Sequence, residues 1–98
     1  MTARRANDQD PHEVLKAAYA TDPFVHVLAP DQWPQTAGVS GSNSVHLQAT
    51  VDVDSGRVIA VSASDNLGKG AAGQAVQNAN LMFGLPETTG LQIYGVAP

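Results

Sequence analysis

Val45-His46-Leu47-Gln48-Ala49-Thr50-Val51-Asp52-Val53, then Asp54-Ser55-Gly56, then Arg57-Val58-Ile59-Ala60-Val61-Ser62-Ala63, is the stretch that decides the fold. Val45, Leu47, Ala49, Val51 and Val53 alternate with His46, Gln48, Thr50 and Asp52. That is the period-2 pattern of a strand with one apolar and one polar face. Asp54-Ser55-Gly56 supplies the turn, with Gly56 free to take positive φ. The return strand is apolar on both faces from Val58 to Val61, as a central strand should be. A β-hairpin over 45–53 and 57–63 follows.

Upstream, Phe24-Val25-His26-Val27-Leu28 is β-rich and stops before Pro30, giving a third strand over 24–28. Asp10-Pro11-His12-Glu13 announces a helix. Asp10 can cap it, Pro11 suits its first position, and Glu13 has capping-box spacing. Val14, Leu15, Ala18 and Tyr19 form its apolar stripe, and Asp22-Pro23 ends it, so the helix runs over about 11–21. Residues 29–43 form a long loop, of a length that tends to accompany function, with Trp33 an anchor on a partner or, in preference, in the domain's own core.

Downstream, the period becomes helical from about Leu67. Ala72, Val76, Ala79 and Phe83 share a face with Ala75 and Met82 beside them, and Gly84 and Pro86 stop the helix near residue 83. A short extended piece is expected at Leu91 to Tyr94. The predicted fold is α+β: a small antiparallel sheet of the hairpin and strand 24–28, with helices 11–21 and 67–83 packed on it. Residues 1–9 are polar and unpatterned and read as a mobile N-terminal arm, ahead of a single domain over 10–98.

At 98 residues the chain can bury a modest core, and 43% hydrophobic with 14% charged residues fits a soluble globular protein. Five Lys or Arg and a net charge of −4 leave no basic groove for nucleic acid. No apolar run approaches the roughly 20 residues that span a bilayer, so no membrane partner is expected. The absence of cysteine excludes disulfides, thiolate metal sites and cysteine nucleophiles, and a core without disulfides suits the cytoplasm.

Asp65-Asn66 lies where a strand ends and a helix begins, a place where free N–H groups suit a phosphate, carboxylate or amide ligand. Gly68, Gly70 and Gly73 permit close approach, and Lys69 could add charge. The plainer reading is a helix cap with glycines for tight packing. It is not a Walker loop, because no Lys-Ser or Lys-Thr follows the glycines. Gly41-Ser42-Asn43 is either a polar loop at a pocket or a strand-entry turn. His12, His26 and His46 have no metal-ligand spacing, so no metal is expected. His26, His46 and Asp65 are the candidates for acid–base catalysis, and a triad of Ser42, His46 and Asp65 rests on residue type alone.

The run from Ser62 to Asn78, with Asn80-Leu81-Met82-Phe83-Gly84-Leu85-Pro86-Glu87-Thr88-Thr89-Gly90-Leu91 and Gly95-Val96-Ala97-Pro98, resembles the C-terminal end of the N-acetyl-gamma-glutamyl-phosphate reductases. These are NADPH-dependent enzymes of arginine biosynthesis. The resemblance spans about His12 to Pro98 and includes Gly41-Ser42-Asn43. It implies that Asn66 lies near the nicotinamide end of NADP(H), with Lys69 and Gly70 beside it, and that Ser42 and Asn43 belong to the substrate side.

The family's Asn-Pro-Gly-Cys nucleophile and Gly-rich nucleotide fold are absent from this sequence. The implied reading is therefore a truncated catalytic and dimerisation-type domain, inactive as a reductase alone. NADP(H) would bind only beside a complementary nucleotide-binding domain, and the expected partners are a second copy or that domain. Ser64 and Gly68 stand where the family usually carries bulky apolar residues, and His46 where it often carries Asp. The alternative is a repurposed small-molecule-binding or accessory protein, or a non-redox enzyme using histidine and aspartate in an oligomer.

Overall fold

The computed structural model describes residues 1–5 and 7–93. Eight segments follow in order: β1 (Thr2–Arg4), α1 (Pro11–Ala18), β2 (Val25–Val27), α2 (Thr36–Val39), β3 (Val45–Asp52), β4 (Arg57–Ser64), a π-helical turn (Gly68–Ala72) and α3 (Gly73–Met82). The strands form one sheet in the order β1-β4-β3-β2. The α+β class stands.

The hairpin pairs Val45 with Ser64 through to Asp52 with Arg57, in the expected register. Asp52 organises its turn by accepting from the N–H of Asp54 at 3.2 Å and the Ser55 hydroxyl at 2.9 Å. Three features differ from the expected sheet. First, β2 pairs with β3 in parallel, Val25 opposite Val45 and Val27 opposite Leu47, so the sheet is mixed. Segment 28–44, which contains α2, exceeds the dozen or so residues that a parallel crossover needs. Second, residues 1–9 are not simply an arm, because Thr2–Arg4 pair with Arg57–Ile59 as an antiparallel edge strand. That partner makes β4 an interior strand of the sheet, between β1 and β3.

Third, the C-terminal helix does not lie on the sheet. Its inward residues are Gly73, Gln77 and Asn80, whereas Val76, Leu81, Met82 and Phe83 stand in solvent, the last two about four-fifths exposed. The radius of gyration, 14.9 Å, exceeds the ~13 Å of a compact domain of this length. Amphipathic periodicity shows which face seeks apolar cover. It does not say that this sheet supplies it.

Asp10 caps α1 as expected, accepting from the His12 N–H at 3.0 Å. Glu13 closes no capping box and instead lies 3.6 Å from His12 Nδ1. The helix covers the sheet face of Leu47 and Ala49. Loop 29–39 covers the opposite face, where Gln48 is buried and donates to the carbonyls of Ala29 and Gln32 at 2.6 and 2.8 Å. Trp33, expected in the core, is half exposed on that loop. Among the described residues the buried apolar side chains are Phe24, Val39 and Ala49. Gly84 ends α3 at φ 71°, as predicted. Leu91 to Ile93 form no strand, and Tyr94 with Gly95 to Pro98 lies outside the described residues.

Candidate functional site

Strand β4 delivers Asp65 and Asn66 to the head of the π-helical turn, and their roles separate there. The Asp65 carboxylate accepts the N–H groups of Leu67 and Gly68 at 2.8 and 2.9 Å, and that of Gly41 at 2.6 Å. Those bonds, Gly41 first, then Gly68 and Leu67, hold its carboxyl below the ordinary 3.8. Asp65 is thus a fixed acceptor and not a proton shuttle. Asn66 is exposed, and its Oδ1 would lie 3.6 Å from a Cβ on Gly70, so the structure brings these two candidates together.

The turn widens because its bonds skip five residues: Gly70 N–H reaches the Asp65 carbonyl at 2.9 Å and Ala72 N–H the Leu67 carbonyl at 3.1 Å. Glycine is required where backbones touch. A Cβ on Gly68 would come within 2.5 Å of the Ser42 carbonyl, and one on Gly73 would overlap Asn43 Oδ1. The missing side chain at 68 therefore faces the 41–44 loop of this same chain.

Lys69 is engaged by Phe24 and Gln77. Its ammonium lies 5.2 Å from the centre of the Phe24 ring and donates to Gln77 Oε1. Gln77 donates in turn to Glu87 at 2.8 Å. Asn80 holds the Glu87 and Thr89 carbonyls at 3.1 and 2.9 Å. This polar brace went unread in the sequence. Its signal was there, since Gly73, Gln77 and Asn80 recur at helical spacing, but a polar stripe reads as a solvated face.

Ser42 and Asn43 are buried. The Ser42 hydroxyl donates to the Val39 carbonyl at 2.7 Å, and the Asn43 amide to the Gln92 carbonyl at 3.0 Å, while Asn43 Oδ1 has no partner among the described residues. Their polar groups thus tie the loop to the tail. No triad of Ser42, His46 and Asp65 forms, because Ser42 and Asp65 are each committed elsewhere.

His26 and His46 are opposite one another on β2 and β3, with rings edge to face at 5.8 Å. Partial burial first, then the neighbouring His26, lower the affinity of His46 for a proton. The Ser44 hydroxyl donates to the Ile93 carbonyl, so it accepts from His26 Nε2–H at 3.1 Å. With that proton direction His26 does not activate Ser44 as a nucleophile. His12 is buried and its Nε2–H donates to the Leu28 carbonyl at 2.7 Å. Among the described residues no three His, Cys, Asp or Glu side chains converge on a metal position, and no helix is long and apolar enough to cross a membrane.

These groups set the acid response. The unfolded chain protonates His46 near the ordinary 6.5, before the folded chain does, so stability falls as pH drops below 6.5 towards the lowered folded value. Asp65 contributes stability above 3.8 that is lost as pH falls through its lowered folded value. Thermal unfolding followed from pH 8 to 3 should therefore show two declines, about 6.5 downward and about 3.8 downward. His46→Gln should flatten the first alone. An identical slope in that variant would remove His46 from the account.

The Salinispora tropica protein named N-acetyl-gamma-glutamyl-phosphate reductase is 66% identical over 98 residues, covering 100% of this chain and 29% of its own length. Proteins of the same name from Frankia casuarinae and Moorella thermoacetica are 62% identical over 87 residues and 53% over 95. They involve 89% and 97% of this chain, and 25% and 28% of theirs. The chain thus spans under a third of these relatives and matches their C-terminal part. The profile described as semialdehyde dehydrogenase, dimerisation domain, matches residues 1–66, from the edge strand through the hairpin to Asn66. By that match the chain belongs to the semialdehyde dehydrogenase dimerisation-domain family.

Proposed function

We propose that this chain supplies the dimerising, cofactor-facing part of an N-acetyl-gamma-glutamyl-phosphate reductase, reducing the acyl phosphate to its semialdehyde in cytoplasmic arginine biosynthesis. The observation that carries the reading is the pairing of an exposed Asn66 with the uncovered apolar face of α3. An amide held at a rigid turn can donate to and accept from another carboxamide, such as that of nicotinamide, and Gly70 leaves the space beside it open. Val76, Met82 and Phe83 lie on one side of the helix, and their burial against a second domain is favourable.

NADPH supplies the hydride when it is bound. What this chain contributes is orientation: Asn66 holds the carboxamide, the Asp65 turn fixes Asn66, and two copies pair through the sheet. Ser42 and Asn43 act as framework beneath the site, and Lys69 braces α3 without reaching the cofactor. The nucleophile and the pyrophosphate cradle come from elsewhere, since the sequence has no cysteine.

The test joins this chain to the remainder of the Salinispora tropica reductase in place of its C-terminal part. NADPH oxidation with N-acetyl-glutamyl phosphate should appear in the joined protein, which should sediment as a dimer. The 98-residue chain alone should show no turnover and bind NADPH no tighter than roughly millimolar. Turnover by the chain alone, or an inert joined protein, refutes the assignment.

A further inference from the structure

The carboxylate of Asp65 uses its two oxygens on two different segments. Oδ1 closes the local turn by taking the N–H groups of Leu67 and Gly68 at 2.8 and 2.9 Å. Oδ2 reaches 24 residues back and takes the Gly41 N–H at 2.6 Å. The loop it reaches is itself fastened. The Ser42 hydroxyl donates to the Val39 carbonyl and accepts the Ser44 N–H at 3.2 Å, and Asn43 holds the Gln92 carbonyl through both its backbone and its side chain. Gly68 meets the Ser42 carbonyl and Gly73 meets Asn43 at distances that admit no side chain. Asn66 is therefore carried between one residue bonded to the loop and one pressed against it.

We infer that Asp65 is a positioning residue: it bolts the Asn66 turn to the buried 41–44 loop, so that the direction of the Asn66 carboxamide is set by the sheet. The functional half of this inference rests on the proposed cofactor role of Asn66, and the structural half on the two-sided hydrogen bonding alone. Among the described residues α3 makes little contact with the strands, so without the bolt the turn and helix would pivot together about the end of β4. A carboxylate is needed because both oxygens must accept. Asparagine, of the same shape, keeps one acceptor and turns an NH2 group towards the other N–H. Its depressed proton affinity agrees, since three N–H groups favour the ionised form.

Amide hydrogen exchange on the 98-residue chain tests the structural half. In Asp65→Asn the remaining oxygen serves the two turn N–H groups, so the Gly41 amide should exchange about tenfold faster while Leu67 and Gly68 stay within about twofold. In Asp65→Ala all three should quicken. The amides of Gln48 and Val61, opposite one another in the β3–β4 ladder, should not change in either variant. Undiminished protection on both sides in Asp65→Asn overturns the inference, as does loss of protection throughout the ladder, which would make Asp65 a general stabiliser.

In the joined reductase, Asp65→Asn should raise KM for NADPH by roughly tenfold and leave KM for the acyl phosphate within about twofold. Equal NADPH KM values in an active protein overturn the functional half. If the unmutated joined protein is inert, the functional half falls with the proposed reaction, and the exchange result still decides whether Asp65 is the bolt.

Discussion

Replacing Phe24 by alanine should remove about 3–5 kcal/mol, enough to leave a chain of this size largely unfolded. Phe24 is wholly buried and is the largest fully buried side chain among the described residues. Its carbonyl also accepts the Val45 N–H at 2.7 Å, so it sits where the parallel strand enters the sheet. Its ring carries the Lys69 ammonium as well, a contact worth about 0.5–1 kcal/mol near a surface. Phe24→Leu separates these contributions, because it retains most of the volume and loses the ring. Urea titration followed by circular dichroism should give a folded, weakened Phe24→Leu and a Phe24→Ala without a native baseline. A loss below about 1 kcal/mol in Phe24→Ala would mean that the core lies elsewhere.

Gly73→Ala should destabilise by about 2–3 kcal/mol, against the gain of about 1 kcal/mol that alanine brings to an ordinary helix interior. The added Cβ overlaps Asn43 Oδ1 and comes within 2.6 Å of the Gly68 carbonyl. The asparagine cannot swing aside freely, because its amide holds the Gln92 carbonyl. The carbonyl cannot retreat without opening the π-helical turn. Asn43→Ala in the same chain removes one of the two obstacles, so the double variant should recover part of the loss in a mutant cycle. Stabilisation by Gly73→Ala would show that helix and loop do not touch.

The hairpin, the cap at Asp10 and the stop at Gly84 were legible because each depends on local chemistry: alternation, a short acceptor before a proline, a glycine at positive φ. The resemblance to the reductases singled out Asn66 as a cofactor contact, and the structure places that residue exposed beside Gly70. Ser42 and Asn43 left a pocket loop and a strand-entry turn both open, because polar residues beside a glycine fit either; the structure buries them and bonds Asn43 to the Gln92 carbonyl. That contact joins residues 49 positions apart, and no periodicity encodes it. The contacts of Lys69 likewise depend on distant residues. A lysine in a glycine-rich turn suggests an anion, yet an aromatic ring and a glutamine draw it inward.

The parallel partner of β3, the strand at Thr2–Arg4 and the bearing of α3 share that cause. Amino-acid order fixes which faces are apolar and where turns fall, since both follow from neighbouring side chains and allowed φ values. Which faces meet depends on contacts between distant segments, whose energies become defined once the chain is folded. For this protein the sequence therefore determined the hairpin, its handles and the amide at position 66. The tertiary structure decided that Asp65 and two glycines lock the amide's turn to a buried loop and send α3, apolar face outward, away from the sheet.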